Sequence, residues 1–253
     1  NTSALEHGFH VLTMTSHQQL NEEAAQVQEL IGHRGDGLVI TSNVRISKAL
    51  IQKLVGLKIP VVMIERTYAL PHVDRIRVDD RQGSSEAVQH IIAKGHRRIG
   101  FIGMQLAHEV ERLRYQGYCD ALKRAGLALA EDLTCFVPEY SVEAGREAMD
   151  AFSGLAQPPT AVFATSDLFT CGVMQSLNQQ GKRVPEDLSL VGYDDTLSSM
   201  LAPPITSIGL SLDAIGQHAI DLILRRMDNP QASARSVKVK TVLIDRGSVR
   251  SRV

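Results

Sequence analysis

The residues best suited to ligand chemistry follow directly after apolar runs of the chain. In open α/β sheets, small molecules bind outside the carboxyl ends of the strands, so polar side chains at those points are the first candidates. These residues are Glu65, Arg66, residues 108–114, Tyr140, Ser166, Asp167 and Asp194. Their positions predict a binding site for a small polar molecule.

No sequence motif for catalysis or for a cofactor accompanies these candidates. The Gly-x-Gly at 35–37 lacks the third glycine of a dinucleotide-binding loop, and no Walker A lysine motif or G-x-S-x-G nucleophile elbow occurs. The His-Glu pair at 108–109 lacks the second histidine of a zinc-binding H-E-x-x-H motif. The adjacent carboxylates at 194–195 are weak evidence for an acid/base pair. We therefore predict no catalytic residues, no cofactor and no enzyme activity.

The cysteines and histidines likewise predict no metal site. Cys119, Cys135 and Cys171 are an odd number, and their spacing fits neither a disulfide framework nor a zinc pattern. The nine histidines are scattered, and none is paired at metal-binding spacing. Because a free cysteine packs like a small apolar residue, buried reduced thiols in a cytosolic protein are the simplest interpretation.

The composition is that of an ordinary globular chain. Its 253 residues are 43% apolar and 22% charged, which is enough for one large domain or two smaller halves. No apolar run approaches the length of a membrane span. The net charge of −1 argues against binding of nucleic acid over the whole surface, because that affinity comes from neutralising phosphates. Any DNA contact would need a segment outside this sequence.

Strand-like and helix-like segments alternate along the chain and must position the candidate residues. Strands are predicted at residues 10–14, 37–41, 60–65, 99–103, 135–137, 161–165 and 188–193. Helices are predicted to begin at Asn21, at Ser47 and at Ser84 or Ser85, and to cover 112–125, 143–152 and 168–180. The strands are continuous apolar runs, which is typical of parallel strands buried on both faces. The pattern therefore predicts a doubly wound α/β fold.

Four segments in register resemble one known family. They are Gly-His-Arg-Arg-Ile-Gly-Phe-Ile-Gly at 95–103, Val-Pro-Glu-Asp-Leu-Ser-Leu-Val-Gly-Tyr-Asp-Asp at 184–195, Pro-Pro-Ile-Thr-Ser at 203–207 and Leu-Ile-Asp-Arg-Gly-Ser at 243–248. In this order they resemble the effector-binding core of the lactose/galactose-repressor (LacI/GalR) family. The resemblance covers essentially the whole chain. It implies the type I fold of the periplasmic sugar-binding proteins.

The resemblance implies two lobes of doubly wound parallel sheet, joined by three crossovers near 78–80, 208–212 and 238–242. The N-terminal lobe would comprise residues 1–78 and 211–239, and the C-terminal lobe 79–210 and 240–253. A helix at 213–227 would return to the first lobe with four residues facing inward, which are Ile215, Ala219, Leu222 and Ile223. Family members open with a further strand and a helix-turn-helix headpiece, so we expect both to lie upstream of this sequence.

The resemblance also assigns ligand contacts in a cleft between the lobes. Arg114 matches the cleft arginine and Asp194 the carboxylate opposite it, a donor and acceptor combination suited to vicinal hydroxyls. Tyr140 stands where relatives place an aromatic ring, which either covers the apolar face of a ligand or packs in the core. His108 and Val110, with Arg112, lie on a segment that tunes effector choice in relatives, although solvated residues there are the alternative.

Several positions depart from the sugar-binding pattern. Glu65, next to Arg66, stands where Asp-Arg is usual, and Ser166 replaces a frequent asparagine. Leu210 occupies a place often held by glutamine, and Leu212 occupies one sometimes held by phenylalanine. Fewer amide groups mean fewer hydrogen bonds to a polyol, so we expect an effector that is smaller, more apolar or differently posed than a plain pentose or hexose.

Three acidic residues receive structural roles instead. Asp167 is predicted to cap the helix that follows it. Asp79 and Asp80 fall at the first crossover, where the resemblance implies a hinge.

The functional expectation is the effector-sensing core of a cytoplasmic transcriptional regulator that works as a homodimer. A small molecule would favour one arrangement of the lobes and so set the spacing of the headpieces on operator DNA. No membrane association is expected. The alternative is a periplasmic solute-binding protein of a sugar importer, which shares the fold but would carry a signal peptide and no headpiece.

Overall fold

The structure is a computed structural model that describes residues 2–15, 20–33, 35–41, 48–56, 58–65, 73–106 and 109–252. Two candidate ligand contacts, Arg66 and His108, lie outside the described residues, as does the helix start predicted at Ser47. The chain divides into two compact units. The first comprises Asn1–Val78 with Ser211–Val239, and the second Asp79–Leu210 with Lys240–Val253. The functional roles of these units as lobes stay a prediction.

The strands are β1 (Leu38–Thr41), β2 (Val61–Ile64), β3 (Asp74–Val78), β4 (Ile99–Met104), β5 (Thr134–Val137), β6 (Ala161–Ala164), β7 (Ser189–Asp194), β8 (Thr206–Leu210), β9 (Ser236–Val239) and β10 (Thr241–Ile244). Six of the seven predicted strands are present, and four further strands, β3, β8, β9 and β10, were not predicted. The helices are α1 (Thr2–Glu6), α2 (Leu20–Gly32), α3 (Lys48–Gly56), α4 (Asp80–Ala93), α5 (Glu109–Arg124), α6 (Val142–Ser153), α7 (Asp167–Gln179) and α8 (Leu212–Asp228). The predicted α/β class is confirmed.

The second unit is a three-layer sandwich around one sheet. Its strand order among the described residues is β10-β8-β7-β6-β4-β5, parallel throughout except for β10. Successive residues of a strand point to opposite faces, so Phe101 packs with α4 and α5 while Ile102 packs with α6 and α7. This two-sided burial is the reason that β4, β6 and β7 are continuous apolar runs.

The first unit contains a parallel sheet in the order β1-β2-β3-β9 across the described residues. Helix α8 packs on this sheet, and its predicted inward residues Ile215, Ala219, Leu222 and Ile223 are all buried. The fully buried carboxylate of Asp74, on β3, anchors the helix. It accepts hydrogen bonds from Arg226 Nε at 3.1 Å and Nη2 at 2.8 Å, and from the backbone N of Arg235 at 2.6 Å.

Two predictions about local structure are wrong. Helix α4 begins at Asp80 and not at Ser84 or Ser85, because both serines are buried inside the helix where it packs on α5. A Cβ on Gly117 of α5 would lie 2.8 Å from the Ser84 Cβ, so this helix contact requires small residues. The run at 10–14 has no regular structure, because no described strand pairs with it and Val11 and Leu12 are 51% and 60% exposed.

None of the helices within the described part of the chain combines the length and the apolar character that crossing a membrane requires.

Candidate functional site

Neighbouring parallel strands of the second unit end at one edge of the sheet, and the candidate site is built there. Strands β4, β6 and β7 are adjacent, so the residues at their carboxyl ends meet. The first turns of α4 and α5 supply further side chains at this edge. Together these elements form the Arg114 cluster, which consists of Arg114 and the carboxylates of Asp80, Glu111 and Asp194.

Each nitrogen of the Arg114 guanidinium has an acceptor. Nε donates to Asp80 Oδ1 at 2.9 Å, Nη1 to the carbonyl oxygen of Thr165 at 2.6 Å, and Nη2 to Asp194 Oδ1 at 3.4 Å. The guanidinium carbon also lies 3.9 Å from the ring centroid of Tyr193, a cation–π arrangement. The bond to Asp194 is the longest of the three, and Asp194 is the most exposed residue of the cluster.

Exposure differs sharply within the cluster. The side chain of Arg114 is 5% exposed and that of Asp80 is 3% exposed, whereas 28% of the Asp194 side chain is exposed. The arginine is therefore fixed from the protein side, and Asp194 is the member of the cluster most open to solvent.

The charges of the cluster keep the guanidinium protonated. Burial lowers the pKa of Arg114, but the negative charges of Asp194 and Asp80 outweigh it, so the pKa lies well above its ordinary value. Burial raises the pKa of the Asp194 carboxyl, and the positive charge of Arg114 opposes that rise. Three carboxylates against one guanidinium make this a site with excess negative charge.

Glu111 ties the cluster to the rest of the sheet edge. It is fully buried and accepts hydrogen bonds from Met104 N at 3.1 Å, Thr165 Oγ1 at 2.8 Å and the Tyr140 hydroxyl at 2.8 Å. Its Oε1 lies 3.6 Å from Arg114 Nη1. Burial raises the pKa of Glu111, and Arg114 with these donors limits the rise. Three donated hydrogen bonds and the nearby guanidinium therefore favour the carboxylate form against the effect of burial.

Glu111 was a candidate only as part of the range 108–114, and Asp80 was given no site role. A signal existed for Glu111, because it precedes Arg114 by three residues and so lies on the same helix face. Asp80, predicted only as a hinge, receives both Arg114 Nε and the Tyr193 hydroxyl on one oxygen, the latter at 3.1 Å. Nothing local in the sequence indicates a partner 34 positions away.

Tyr140 is held on two sides by protein groups. Its hydroxyl donates to Glu111, and its ring stacks on Phe169 with centroids 5.5 Å apart and planes inclined by 15°. Of the two predicted roles, the structure therefore contains core packing against Phe169. Coverage of a ligand by this ring stays a prediction.

Ser166, and not Asp167, caps the helix that follows β6. Ser166 is the N-cap of α7 and its Oγ accepts from Phe169 N at 3.3 Å, so the predicted cap at Asp167 is wrong. Asp167 is the first residue of the helix, and its carboxylate holds the loop after β7. It accepts from the backbone N of Thr196 at 2.6 Å and of Leu197 at 2.7 Å. This anchoring fixes the chain directly after Asp194.

The backbone at the end of β7 is also constrained. Asp194 and Asp195 have φ of 84° and 60°, in the left-handed region that L-residues other than Gly, Asn and Asp rarely adopt. The Asp195 carboxylate forms a two-bond ion pair with Arg246, at 2.5 and 2.9 Å. Arg246 belongs to the segment 243–248 and so positions Asp194 indirectly.

The other candidates stand apart from these contacts. Val110 is buried, and Leu210 is partly buried against the core formed with α4 and α5. Leu212 is 58% exposed and, with Glu65, belongs to the first unit. Arg112 pairs with Glu109 at the surface, which favours the solvated alternative for this residue. Ligand contact by any candidate stays a prediction.

No group of three histidine, cysteine, aspartate or glutamate side chains is placed to hold a metal ion in the part of the chain that the structure describes.

Known proteins share both the sequence and this architecture. The model of a periplasmic binding protein-like domain matches residues 88–249, more than half of the chain. The HTH-type transcriptional repressor CytR of Escherichia coli (strain K12) is 32% identical over 254 aligned residues, covering 98% of this chain and 73% of the repressor. These repressors are not enzymes, which confirms the prediction of a non-enzymatic protein.

Solved structures extend the similarity to the fold. A putative transcriptional regulator LacI from Bacillus cereus subsp. cytotoxis NVH 391-98 matches with a TM-score of 0.87 and 26% identity, covering 100% of this chain and 89% of the other. The transcriptional regulator CelR in complex with cellobiose matches with a TM-score of 0.86 and 30% identity, covering 98% and 76%. The chain belongs to the LacI family of transcriptional regulators and carries the periplasmic-binding-protein-like effector domain of that family.

Proposed function

We propose that this domain senses an uncharged, hydroxyl-bearing small molecule, sugar-like or a related metabolite, at the Arg114 cluster. The observation that carries the proposal is the pairing of Arg114 Nη2 with Asp194 Oδ1 at 3.4 Å, on the exposed side of an otherwise buried cluster. The relative CelR, with 30% identity, has been solved with cellobiose bound.

The geometry of this pair suits a hydroxyl group. A ligand hydroxyl can donate to the Asp194 carboxylate and accept from Arg114 Nη2 at the same time. The hydrogen bond between Arg114 Nη2 and Asp194 Oδ1 is long and therefore weak, so little free energy is lost when hydrogen bonds to the ligand replace it. Neighbouring hydroxyls on one ring would engage both groups together.

The charge balance argues against an anionic ligand at this point. A carboxylate or phosphate placed beside Asp194 would meet the excess negative charge of the cluster at close range. Arg114 offers little compensation, because Asp80 and Glu111 already surround its buried side. An uncharged ligand avoids this repulsion and still makes both hydrogen bonds.

The regulatory consequence follows from differential binding. The effector shifts the protein toward whichever arrangement of its two units binds it more tightly. In a cytoplasmic homodimer carrying helix-turn-helix headpieces, that shift changes how well the headpieces match the two halves of an operator. Operator DNA is thus the second partner in this proposal, reached through a segment outside this sequence.

A thermal-shift screen with matched pairs of ligands tests the proposal. The pairs are ribose with ribose 5-phosphate, glucose with glucuronate, cellobiose with cellobionate, and uridine with uridine monophosphate. A ligand at about 100 times its Kd adds about 2.7 kcal/mol of stability, which raises Tm by about 5–10 °C in a protein of this size. We expect an uncharged member to give the larger shift.

Two variants separate site binding from general effects. Arg114→Gln should abolish the shift, whereas Arg112→Gln should retain it, because Arg112 pairs with Glu109 at the surface. A larger shift with the anionic member would refute the charge argument. Equal shifts in wild type and Arg114→Gln would refute the site.

A further inference from the structure

A cavity lies in the second unit at the opposite end of strand β4 from the Arg114 cluster. Its volume is about 220 Å³, and its apolar base is formed by the buried side chains of Ile99, Tyr118, Leu122 and Leu133. The hydroxyl of Tyr118 donates to the Ile99 carbonyl oxygen at 2.8 Å, so it needs no hydrogen-bond acceptor from a ligand. The base of the cavity is therefore apolar in practice.

The cavity is separate from the Arg114 cluster. Ile99 opens strand β4 and Met104 closes it beside Glu111, so the two ends lie about 17 Å apart at roughly 3.3 Å per residue. Along α5, Leu122 lies about 12 Å from Arg114 at roughly 1.5 Å per residue. A molecule in the cavity would not touch the proposed effector site.

Two guanidinium groups line the same cavity. Arg98 donates from Nη2 to Asp132 Oδ2 at 3.1 Å and to a backbone carbonyl, while its Nε is buried and has no hydrogen-bond partner among the described residues. Arg97 lies beside it, with Nη1 bound to the carbonyl oxygens of Ile92 and His96. Two cations against the single carboxylate of Asp132 give the cavity a positive rim.

We propose that this cavity is a second ligand site, which takes a small monocarboxylate whose apolar body is about the size of one six-membered ring. A dry apolar cavity of about 150 Å³ accommodates benzene, so a volume of about 220 Å³ has room for one ring and a carboxylate. The ring would pack on Tyr118 and Leu122, and the carboxylate would pair with the guanidinium groups of Arg97 and Arg98 that line the cavity. The charge of the rim selects an acid over its amide.

The test uses the full chain and three probes: benzoate, cyclohexanecarboxylate and hexanoate, each compared with its amide by isothermal titration calorimetry. At least one acid should bind saturably with a Kd below about 1 mM, and its amide about tenfold more weakly or not at all. Arg98→Gln should weaken the acid by about tenfold or more, because it removes the charged donor.

A pair of exposed alanines supplies a variant that does not disturb the core. Ala128 lines the cavity, so Ala128→Phe should fill it and abolish binding, whereas Ala125→Phe, outside the cavity, should leave the Kd unchanged. Asp194→Asn should also leave it unchanged, which distinguishes this site from the Arg114 cluster. The proposal is overturned if none of the acids binds saturably, if acid and amide bind equally, or if Ala128→Phe binds like wild type.

Discussion

Glu111 should tolerate even a conservative substitution poorly. Glu111→Gln keeps the shape of the side chain but replaces one acceptor oxygen with an NH₂ group. The new NH₂ must face either the Met104 N–H and Thr165 Oγ1, or the Tyr140 hydroxyl and Arg114 Nη1. A hydroxyl can rotate and accept from the NH₂, but an N–H donor cannot. The substitution therefore leaves either the Met104 N–H without an acceptor or an NH₂ beside the Arg114 guanidinium, and in both cases the buried ion pair with Arg114 loses its negative charge.

The magnitude follows from those lost contacts. A hydrogen bond to a charged group contributes about 1.5–3 kcal/mol, and breaking a buried ion pair from one side costs about 3–5 kcal/mol. Removal of the negative charge from the buried pair with Arg114 places the expected loss at about 3–5 kcal/mol for Glu111→Gln. At about 2–4 °C per kcal/mol, Tm of the second unit should fall by about 6–20 °C.

Urea and thermal unfolding followed by circular dichroism measure this loss. The control is Glu109→Gln, two residues earlier on α5, where the carboxylate pairs with Arg112 at the surface and the change should stay within about 0.5 kcal/mol. Tyr140→Phe removes one donor and should cost less than Glu111→Gln. The costs of these two should not add, since they share one bond. A Glu111→Gln protein as stable as Glu109→Gln would refute the network described for Glu111.

Three further outcomes are expected. Asp194→Asn should weaken an effector found in the screen by about 2–5 kcal/mol by calorimetry, and full affinity would move the site elsewhere. Burial lowers the pKa of His96 below its ordinary 6.5, so below about pH 6.5 the unfolded chain binds a proton that the folded chain does not, and unfolding free energy falls toward pH 5. His96→Gln should flatten that fall in urea titrations, and an unchanged slope would exclude His96 as its source. Asp74→Asn should destabilise the first unit by about 3–5 kcal/mol in urea, whereas Asp221→Asn, at the surface of α8, should change it little.

The sequence predicts those parts of the fold that are determined by local pattern and burial. Strands β4, β6 and β7 are recognisable because helices cover both of their faces, so the residues between the strand ends are apolar. The inward face of α8 follows from helical spacing combined with the family resemblance. The start of α4 was mispredicted because serine is a common N-cap residue of helices. Ser84 instead lies inside the helix, where its small side chain packs against Gly117.

In the candidate site too, the residues are recognisable from the sequence but their contacts are not. Arg114 and Asp194 were among the candidates because they follow strands, and the family resemblance singled them out as ligand contacts. The acceptors that hold Arg114 come from a helix start, a helix turn and a backbone carbonyl, and only the folded sheet edge brings them together. Tyr140 was identified, but its bond to Glu111 depends on two elements separated by 29 positions.

If the proposed function holds, the contacts around Arg114 preorganise it for its ligand. A long flexible side chain loses rotamer entropy when it binds a ligand, and a side chain that is already fixed avoids most of that loss. Asp80 and the Thr165 carbonyl fix two of the three guanidinium nitrogens before any ligand arrives. The remaining nitrogen meets the partly exposed Asp194, so one donor and one acceptor stand ready at a defined spacing. An arginine meant to neutralise an anion would not need three carboxylates around it, whereas an arginine meant to orient a hydroxyl gains rigidity from each of them.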